Sequence, residues 1–398
     1  MKFQNISLWS DNWWIENNRA WFISEEEQIL CQYDFTSNKC SALSLIPVEC
    51  ANKGRLYSRC VKNDMDIICI PDRGSYILSY SLQNGTWESV EVNNPNNERI
   101  AGVQFEKMDN CLIIFAKGLK KLIKYNLITK EIICYINVSN DVNELLGFGM
   151  FFNNLFYAVS RTFSRIYECN ITMQEVRTFD LPNIEDELNT ICYKKGSFII
   201  CGKKKKIYLW DKENKKLDTI QNFPPEFGEY IFDTIDEKVV DCNVQEYKER
   251  TFYSTMLVGR CVWFIPFQTN KILFLDTVTN KLNEFVILDE EETETSLKNN
   301  ILGHKYLVEY IRENRYIGLY SLKNEYMIEI DSDKLNYRIV PFDFDNSCIE
   351  IFENKIFTEV RKMDTIIYTE IIRDFQCNKM GKNEKIGSKI YFSINSSK

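Results

Sequence analysis

Short apolar runs separated by polar turns recur along most of the chain. In the stretch "VWFIPFQTNKILFLDTVTNKLNEFVI", residues 262–287, two apolar runs and the start of a third are joined by polar segments. The stretch "IICIPDRGSYILSYSLQNGTWESVEV", residues 67–92, repeats this pattern without gaps. Short apolar runs that are bounded by turn-forming residues are typical of β-strands. The pattern therefore predicts a repeated unit built from strands.

Aligning the chain on Asp276, the last residue of the second apolar run, extends this repeat to nearly the whole sequence. The equivalent positions hold residues that favour turns, and they are Asp34, Ser81, Asn126, Asn170, Asp211 and Asp331. A further apolar run precedes each copy, so that each unit contains four strands. In most of the chain the units recur at roughly 45 residues, which is the length of a four-stranded propeller blade.

The repeat predicts an all-β fold, a single β-propeller domain over residues 1–398. Its units span residues 10–50, 55–93, 99–139, 145–182, 188–221, 251–288, 303–342 and 346–394. These eight units favour eight blades, and seven blades are the alternative because the last copy is the weakest. Two insertions, 222–250 and 288–300, interrupt the repeat. We expect the ring to close by pairing of an N-terminal strand (2–9) with a C-terminal strand (389–394).

A four-stranded sheet with two apolar faces is not stable alone. Copies that stack face to face around an axis bury both faces and leave only short edges exposed. The innermost strands then run close together near the axis. Gly102, Gly147 and Gly149 lie in predicted innermost strands, where the absence of a side chain lets backbones approach.

In its repeated sequence motifs the chain resembles a bacterial kelch-like β-propeller. The resemblance rests on the pairs Ile70-Pro71 and Ile265-Pro266, on Leu275-Asp276 and on the turn 279–281, and it covers almost the whole chain. It implies a binding or scaffolding function. Kelch repeats usually carry a Gly-Gly doublet after the second strand, and this chain contains none.

Composition narrows the classes of partner. The net charge of −8 provides no overall basic field for nucleic acid, so no specific nucleic-acid binding is predicted. No run of 18 apolar residues occurs, which predicts no membrane span. The 14 cysteines are scattered without a C-x-x-C pair, as is typical of reduced, buried thiols in a cytoplasmic protein. We expect a monomer without metal or cofactor.

The sequence offers little that would support catalysis. The single histidine, His304, has no G-x-S-x-G motif to work with, and no glycine-rich phosphate loop is present. Paired carboxylates cannot be located because spacing across blades is not visible in the sequence. The sequence therefore favours a non-catalytic protein-interaction or ligand-binding scaffold. The alternative is a propeller hydrolase or lyase that acts on a carbohydrate or small metabolite at the channel mouth.

Three successive units carry basic residues in the loop between their first two aligned runs. We call this set the basic crescent, and it consists of Lys117, Lys120, Lys121, Arg161, Phe163, Arg165, Lys203, Lys204, Lys205 and Lys206. In a propeller these loops share one face, so the crescent predicts a docking surface for another protein or an anionic ligand. The alternative is a solvated rim. The acidic run 289–294 could also pair with the crescent within the chain.

Overall fold

The described part of the chain folds into seven β-sheets, six of them four-stranded antiparallel meanders. The computed structural model describes residues 10, 12–24, 28–47, 56–96, 98–182, 184–194, 196–204, 206–223, 252–266, 269–290, 305–321, 324, 326–340, 343–348 and 350–351. The contacts group the chain into two compact units, Met1–Ile349 and Glu350–Lys398. The extension of one propeller domain over residues 1–398 stays a prediction, since only two residues of the second unit are described.

Each blade takes its four strands in chain order from the axis outward. Blade 1 comprises β1 (Trp14–Glu16), β2 (Arg19–Ser24), β3 (Ile29–Asp34) and β4 (Lys39–Leu45). Blade 2 comprises β5 (Tyr57–Asn63), β6 (Asp66–Pro71), β7 (Tyr76–Ser81) and β8 (Trp87–Glu91). Blade 3 comprises β9 (Gly102–Met108), β10 (Cys111–Ala116), β11 (Lys121–Asn126) and β12 (Glu131–Asn137). Blade 4 comprises β13 (Leu146–Phe152), β14 (Leu155–Ser160), β15 (Arg165–Asn170) and β16 (Glu175–Asp180).

The remaining three blades follow the same plan. Blade 5 comprises β17 (Leu188–Lys194), β18 (Ser197–Gly202), β19 (Ile207–Asp211) and β20 (Lys216–Ile220). Blade 6 comprises β21 (Phe252–Val258), β22 (Cys261–Pro266), β23 (Lys271–Asp276) and β24 (Lys281–Val286). Blade 7 comprises β25 (Tyr306–Arg312), β26 (Tyr316–Ser321), β27 (Tyr326–Asp331) and β28 (Asn336–Val340). A two-residue strand, β29 (Asp343–Phe344), then pairs in parallel with β4 of blade 1.

The β-propeller prediction is confirmed, and the ring has seven blades instead of the preferred eight. Blade 7 packs directly on blade 1, with the ring centroids of Trp13 and Tyr310 5.6 Å apart and those of Phe35 and Tyr310 5.3 Å apart. The backbone N–H of Asn12 also donates to the carbonyl of Val308 at 3.4 Å. We call this contact between blades 1 and 7 the seam. It leaves no place in the ring for an eighth blade.

The chain after blade 7 begins differently from a further blade. The Asp345 carboxylate accepts the backbone N–H groups of Ser347 (2.9 Å) and Cys348 (3.3 Å), and residues 346–348 are helical. The apolar segment that suggested an eighth unit therefore starts in a capped helical turn. The predicted pairing of 2–9 with 389–394 lies outside the described residues.

Apolar packing joins each blade to the next. Six clusters of buried residues each span two consecutive blades, from blades 1 and 2 through blades 6 and 7. The glycine prediction is confirmed at the inner strands. A Cβ atom at Gly147 would lie 2.4 Å from the carbonyl oxygen of Asn189 in blade 5, and one at Gly102 would lie 2.7 Å from that of Pro71 in blade 2. These glycines allow the inner strands to converge.

The aligned Asp or Asn of the repeat forms the turn between the third and fourth strands. Asp276 Oδ1 accepts the backbone N–H groups of Val278 (2.9 Å) and Thr279 (3.2 Å). The same pair of bonds forms at five other anchors, namely Asp34, Asn126, Asn170, Asp211 and Asp331. In all seven blades the fourth residue after the anchor has a positive φ, and these residues are Asn38, Gly85, Lys130, Gln174, Lys215, Asn280 and Leu335. The aligned positions of the sequence repeat therefore mark a turn of the same geometry in each blade.

Leu335 is the residue least suited to this left-handed position. Its φ is 51° and its side chain is largely exposed, so the strain is not offset by full burial. We expect Leu335→Asn to raise the free energy of unfolding by about 0.5–1 kcal/mol, since Asn adopts this conformation readily. The reverse change at the matched position, Asn280→Leu, should lower it by a similar amount. Urea unfolding of both variants measures this. Destabilisation by Leu335→Asn, or no loss of stability in Asn280→Leu, would contradict the assignment.

The four aspartate turns predict a specific acid sensitivity. Backbone N–H donors hold the pKa of Asp34, Asp211 and Asp276 below the usual value, and the hydrogen bond from Arg315 lowers the pKa of Asp331 to about 2. Groups whose pKa is lower in the folded state stabilise it above their unfolded pKa. That stability is lost as the pH falls from about 4 towards 2.

Asparagine already fills the same turn position in blades 3 and 4, and it does not titrate. Changing the four aspartates to Asn should therefore flatten the fall of Tm between pH 4 and pH 2, while it preserves the fold at neutral pH. Circular dichroism melts across this range test the expectation. An unchanged slope would show that other carboxylates dominate acid unfolding.

Candidate docking surface

The loops of the basic crescent lie on the face of the ring where the chain enters each blade. The backbone N–H of Lys117 donates to Ala101 O at 3.0 Å, that of Arg161 to Leu145 O at 2.7 Å, and that of Lys203 to Glu187 O at 3.1 Å. Each crescent loop thus adjoins the segment that leads into its own blade. We call this the connection face. The aspartate and asparagine turns lie on the opposite face, because successive strands of each meander alternate in direction.

In blade 3 the crescent lysines contact neighbouring groups of the chain. Lys120 Nζ donates to the carbonyls of Asp141 (2.6 Å) and Val142 (2.9 Å), which belong to the segment entering blade 4. Lys117 Nζ lies 4.4 Å from the ring centroid of Phe148, and Lys121 Nζ lies 5.7 Å from that of Tyr135. These contacts hold the three ammonium groups against the protein.

Between blades 4 and 5 the crescent is paired with acidic residues. Glu187 contacts both Arg161 Nε (2.6 Å) and Lys203 Nζ (2.6 Å). Burial alone would raise the pKa of Glu187, but the hydrogen bond from Lys203 and the charge of Arg161 hold it below its usual value. Asp186 accepts the backbone N–H groups of Lys203 (3.0 Å) and Lys204 (3.2 Å).

The crescent is therefore less cationic than its sequence suggests. The segment "IEDE", residues 184–187, supplies Glu187 and Asp186, and Lys204 Nζ donates to the carbonyl of Glu185. The backbone N–H of Lys206 donates to Lys204 O at 2.7 Å. Sequence reasoning missed these acids, although three of them in a row precede the fifth unit. Lys205 lies outside the described residues, as do 25–27 of the first unit, His304 and most of both insertions.

An exposed apolar patch lies beside the paired charges. Val142 and Leu145 are 86% and 57% exposed, and Phe163 in the adjoining crescent loop is 38% exposed. Leu145 N donates to the hydroxyl of Thr162, next to Phe163, at 3.0 Å. Arg165 stacks on Phe163, with its guanidinium carbon 4.9 Å from the ring centroid. We call Val142, Leu145 and Phe163 the apolar patch.

The segment that carries this patch is firmly held. Glu144 is fully buried, and its carboxylate accepts the hydroxyl groups of Ser139 and Tyr167. The Ser139 hydroxyl in turn accepts Asp141 N at 3.1 Å, and Asp141 Oδ1 accepts Asn143 N at 2.9 Å. A fixed segment that projects two large apolar side chains into solvent makes this region a candidate docking surface.

The space near the ring axis is partly filled by aromatic side chains. Trp14 on β1 and Phe105 on β9 have ring centroids 6.3 Å apart, although blades 1 and 3 are not neighbours. Both rings also pack against the apolar cluster of blades 2 and 3, so Trp14 reaches past the inner strand of blade 2. Within the described part of the chain, no group of three His, Cys, Asp or Glu residues is arranged to hold a metal ion. No described helix is long and apolar enough to cross a membrane.

These features define the chain as a seven-bladed β-propeller with a candidate docking surface on its connection face. No protein-family model matches it, and no curated protein matches its sequence. Virginiamycin B lyase from Staphylococcus aureus has a similar structure, with a TM-score of 0.55 and 11% identity, covering 80% of this chain and 93% of the lyase. A chain of a mitotic checkpoint complex matches with a TM-score of 0.51 and 9% identity, covering 84% and 87%. At such identities the similarity shows the fold alone.

Proposed function

We propose that the protein is a non-catalytic interaction scaffold that binds another protein through its connection face. The observation that carries the proposal is the exposure of Val142 and Leu145 on a segment fixed by the buried Glu144. Exposed apolar side chains on a held backbone lose little conformational entropy when they are covered. The basic crescent forms a charged rim around them, which favours orientation more than affinity.

Composition and side-chain contacts support our proposals for the repeat family, the cellular location, the oligomeric state and the class of partner. A kelch-like bacterial propeller remains our assignment of the repeat, and the absence of Gly-Gly doublets separates it from ordinary kelch repeats. We propose a cytoplasmic location, which the free and mostly buried thiols of the described cysteines support, and we propose a monomer. We propose neither a membrane nor a nucleic-acid partner.

The alternative is a hydrolase or lyase acting at the channel mouth on a carbohydrate or small metabolite. The fold is shared with a lyase, but fold alone does not assign a reaction. The contact of Trp14 with Phe105 places apolar rings beside the inner strands, where an enzyme would need polar groups. This contact favours the scaffold.

A patch variant with Val142, Leu145 and Phe163 all changed to Ser should lose the partner. Ile128 and Met173 provide a matched control, because they are 67% and 66% exposed in the same blades but lie on the opposite face. Immobilised wild-type, patch and control proteins would be incubated with lysate of the native cells, and the bound proteins compared by quantitative mass spectrometry. The captured protein would then be purified and its Kd measured against all three.

We expect the patch variant to bind at least about thirtyfold more weakly, since one hot-spot side chain contributes about 2 kcal/mol. The Ile128→Ser/Met173→Ser control should bind as wild type does. Equal affinity of all three proteins, or equal loss in both variants, would contradict use of the connection face. Chemical conversion of the captured molecule by the wild-type protein would instead favour the enzyme alternative.

A further inference from the structure

Three cysteines meet where the chain returns from blade 7 to blade 1. Cys31 lies on β3 and Cys40 on β4, while Cys348 lies in the helical turn after β29. The thiol of Cys348 donates to the carbonyl of Cys40 at 3.4 Å, and Cys31 and Cys40 lie on the paired strands β3 and β4. All three side chains are buried. No metal arrangement of three ligands is found in the described residues.

This thiol cluster joins two parts of the chain that are far apart in sequence. Cys60 and Cys69 also face each other, but they belong to adjacent strands of one blade. Cys348 instead belongs to the segment 343–348, which we call the clasp. A covalent bond from Cys348 to either blade 1 cysteine would tie the residues after blade 7 to blade 1.

The described contacts of the clasp are made with β4 of blade 1. Its strand β29 pairs Asp343 and Phe344 with β4, and Asp345 N donates to Cys40 O at 2.9 Å. The backbone N–H of Ala42 donates to the Ser347 hydroxyl at 3.0 Å, and Asp345 accepts the Ser41 hydroxyl. Short elements can open locally without global unfolding. We expect such an opening to admit a small peroxide to Cys348 while blade 1 stays folded and its thiols stay close by.

We propose that Cys31, Cys40 and Cys348 form a thiol–disulfide site in which Cys348 is oxidised by a peroxide and then bonds to Cys31 or Cys40. The Cys348 sulfur attacks the peroxide, so that an S–O bond forms, the O–O bond breaks and hydroxide leaves. The thiol of Cys31 or Cys40 then attacks the sulfenic sulfur, so that an S–S bond forms and water leaves. Two thiols lose two electrons in total, and the peroxide gains them.

The environment of the cluster favours this order of events. Hydrogen bonds from the Cys31 and Cys40 thiols lower the pKa of Cys348 well below that of an ordinary thiol. The hydrogen bond with Cys348 and burial raise the pKa of Cys31, and burial together with the hydrogen bonds from Cys31 and Cys348 raises the pKa of Cys40. The thiolate is the form that reacts with peroxide, and a neighbouring thiol resolves the sulfenic acid. The cluster therefore contains one attacking and two resolving sulfurs.

The primary experiment uses the wild-type chain. Folded protein would be treated with hydrogen peroxide, free thiols blocked, and the protein digested without reduction and mapped by mass spectrometry. We expect a disulfide peptide that joins Cys348 to Cys31 or Cys40, the loss of two thiols per chain, and reversal by dithiothreitol. Its absence, or disulfides only at Cys31–Cys40 or Cys60–Cys69, would overturn the proposal.

Two variants separate the site from general oxidation of buried cysteines. Cys348→Ser should abolish the disulfide, whereas Cys69→Ser, a buried cysteine of blade 2, should form it as wild type does. The Tm of each reduced variant shows whether it is folded before peroxide is added. If Cys348→Ser does not fold, single Cys31→Ser and Cys40→Ser variants should each redirect the bond to the remaining blade 1 cysteine. Loss of two thiols per chain in Cys348→Ser, as in wild type, would refute the role of the clasp.

Discussion

We expect Glu329→Ala to lower the free energy of unfolding by about 3–5 kcal/mol, the effect of removing one partner from a buried charged network. The Glu329 side chain is 2% exposed. Its carboxylate accepts Tyr310 OH at 2.9 Å, Arg312 Nη2 at 3.0 Å and Arg338 Nη2 at 2.6 Å. Alanine would leave the largely buried Arg312 guanidinium and the Tyr310 hydroxyl without this acceptor. Chemical denaturation of both proteins measures the loss.

A substitution of Glu313 provides a matched control, because Glu313 is the second acidic partner of Arg312. Glu313 Oε1 lies 3.1 Å from Arg312 Nη1, but the Glu313 side chain is mostly exposed. Exposed ion pairs contribute about 0–1 kcal/mol, so Glu313→Ala should have little effect. Similar losses in the two variants would show that the network of Glu329 does not stabilise blade 7 as proposed.

The second large effect is expected at Trp13, on the blade 1 side of the seam. Trp13 stacks on Phe22 with ring centroids 4.4 Å apart, lies 5.4 Å from the ring of Tyr33, and donates its indole N–H to Ser10 at 2.7 Å. Trp13→Ala should lower the free energy of unfolding by about 3–5 kcal/mol, since a buried indole is removed and a cavity remains.

Trp87 offers a comparison within the same fold. It lies on the outer strand β8, half-buried against Tyr80 at 4.8 Å, and its indole N–H donates to Ser44 at 3.1 Å. We expect Trp87→Ala to lose clearly less stability than Trp13→Ala in the same urea titration. A Trp13 effect no larger than that of Trp87 would mean that the seam relaxes around the cavity.

Much of the fold could be predicted from sequence because the blade is a local structure. The anchor at Asp276 and its equivalents repeat at the end of an apolar run, and the turn they make depends on residues only two to four positions away. The glycines of the inner strands, such as Gly147, were also visible as small residues within apolar runs. Such features are encoded within one unit and need no knowledge of the ring.

The number of blades depends on contacts that no single unit contains. The text from Cys348 onward has the composition of a strand, but Asp345 caps a helical turn there and β29 joins blade 1. Whether another blade fits is decided by the packing of Tyr310 against Trp13 at the seam. Sequence periodicity counts units, and only packing determines how many of them close the ring.

The candidate surface was located only in part. The loops of the crescent do share a face, but Glu187 of the preceding connection forms ion pairs with both Arg161 and Lys203. The apolar patch was missed because Val142 and Leu145 look like ordinary apolar residues before a strand. Their exposure follows from Glu144, a charged residue that is buried in their place. An inverted pattern of this kind, with acid inside and apolar residues outside, is recognised only once burial is known.

The seam has a kinetic consequence for how the molecule assembles. The hairpins of each blade form between residues that are close in sequence. Trp13 and Tyr310 belong to the first and the last blade, so their contact joins residues that are far apart in sequence. Contacts of high sequence separation slow folding because a long loop must be closed first. The seam should therefore form last, after an open arc of blades with two uncovered apolar ends. Refolding yield should fall with protein concentration during that interval, when the ends of two arcs can meet.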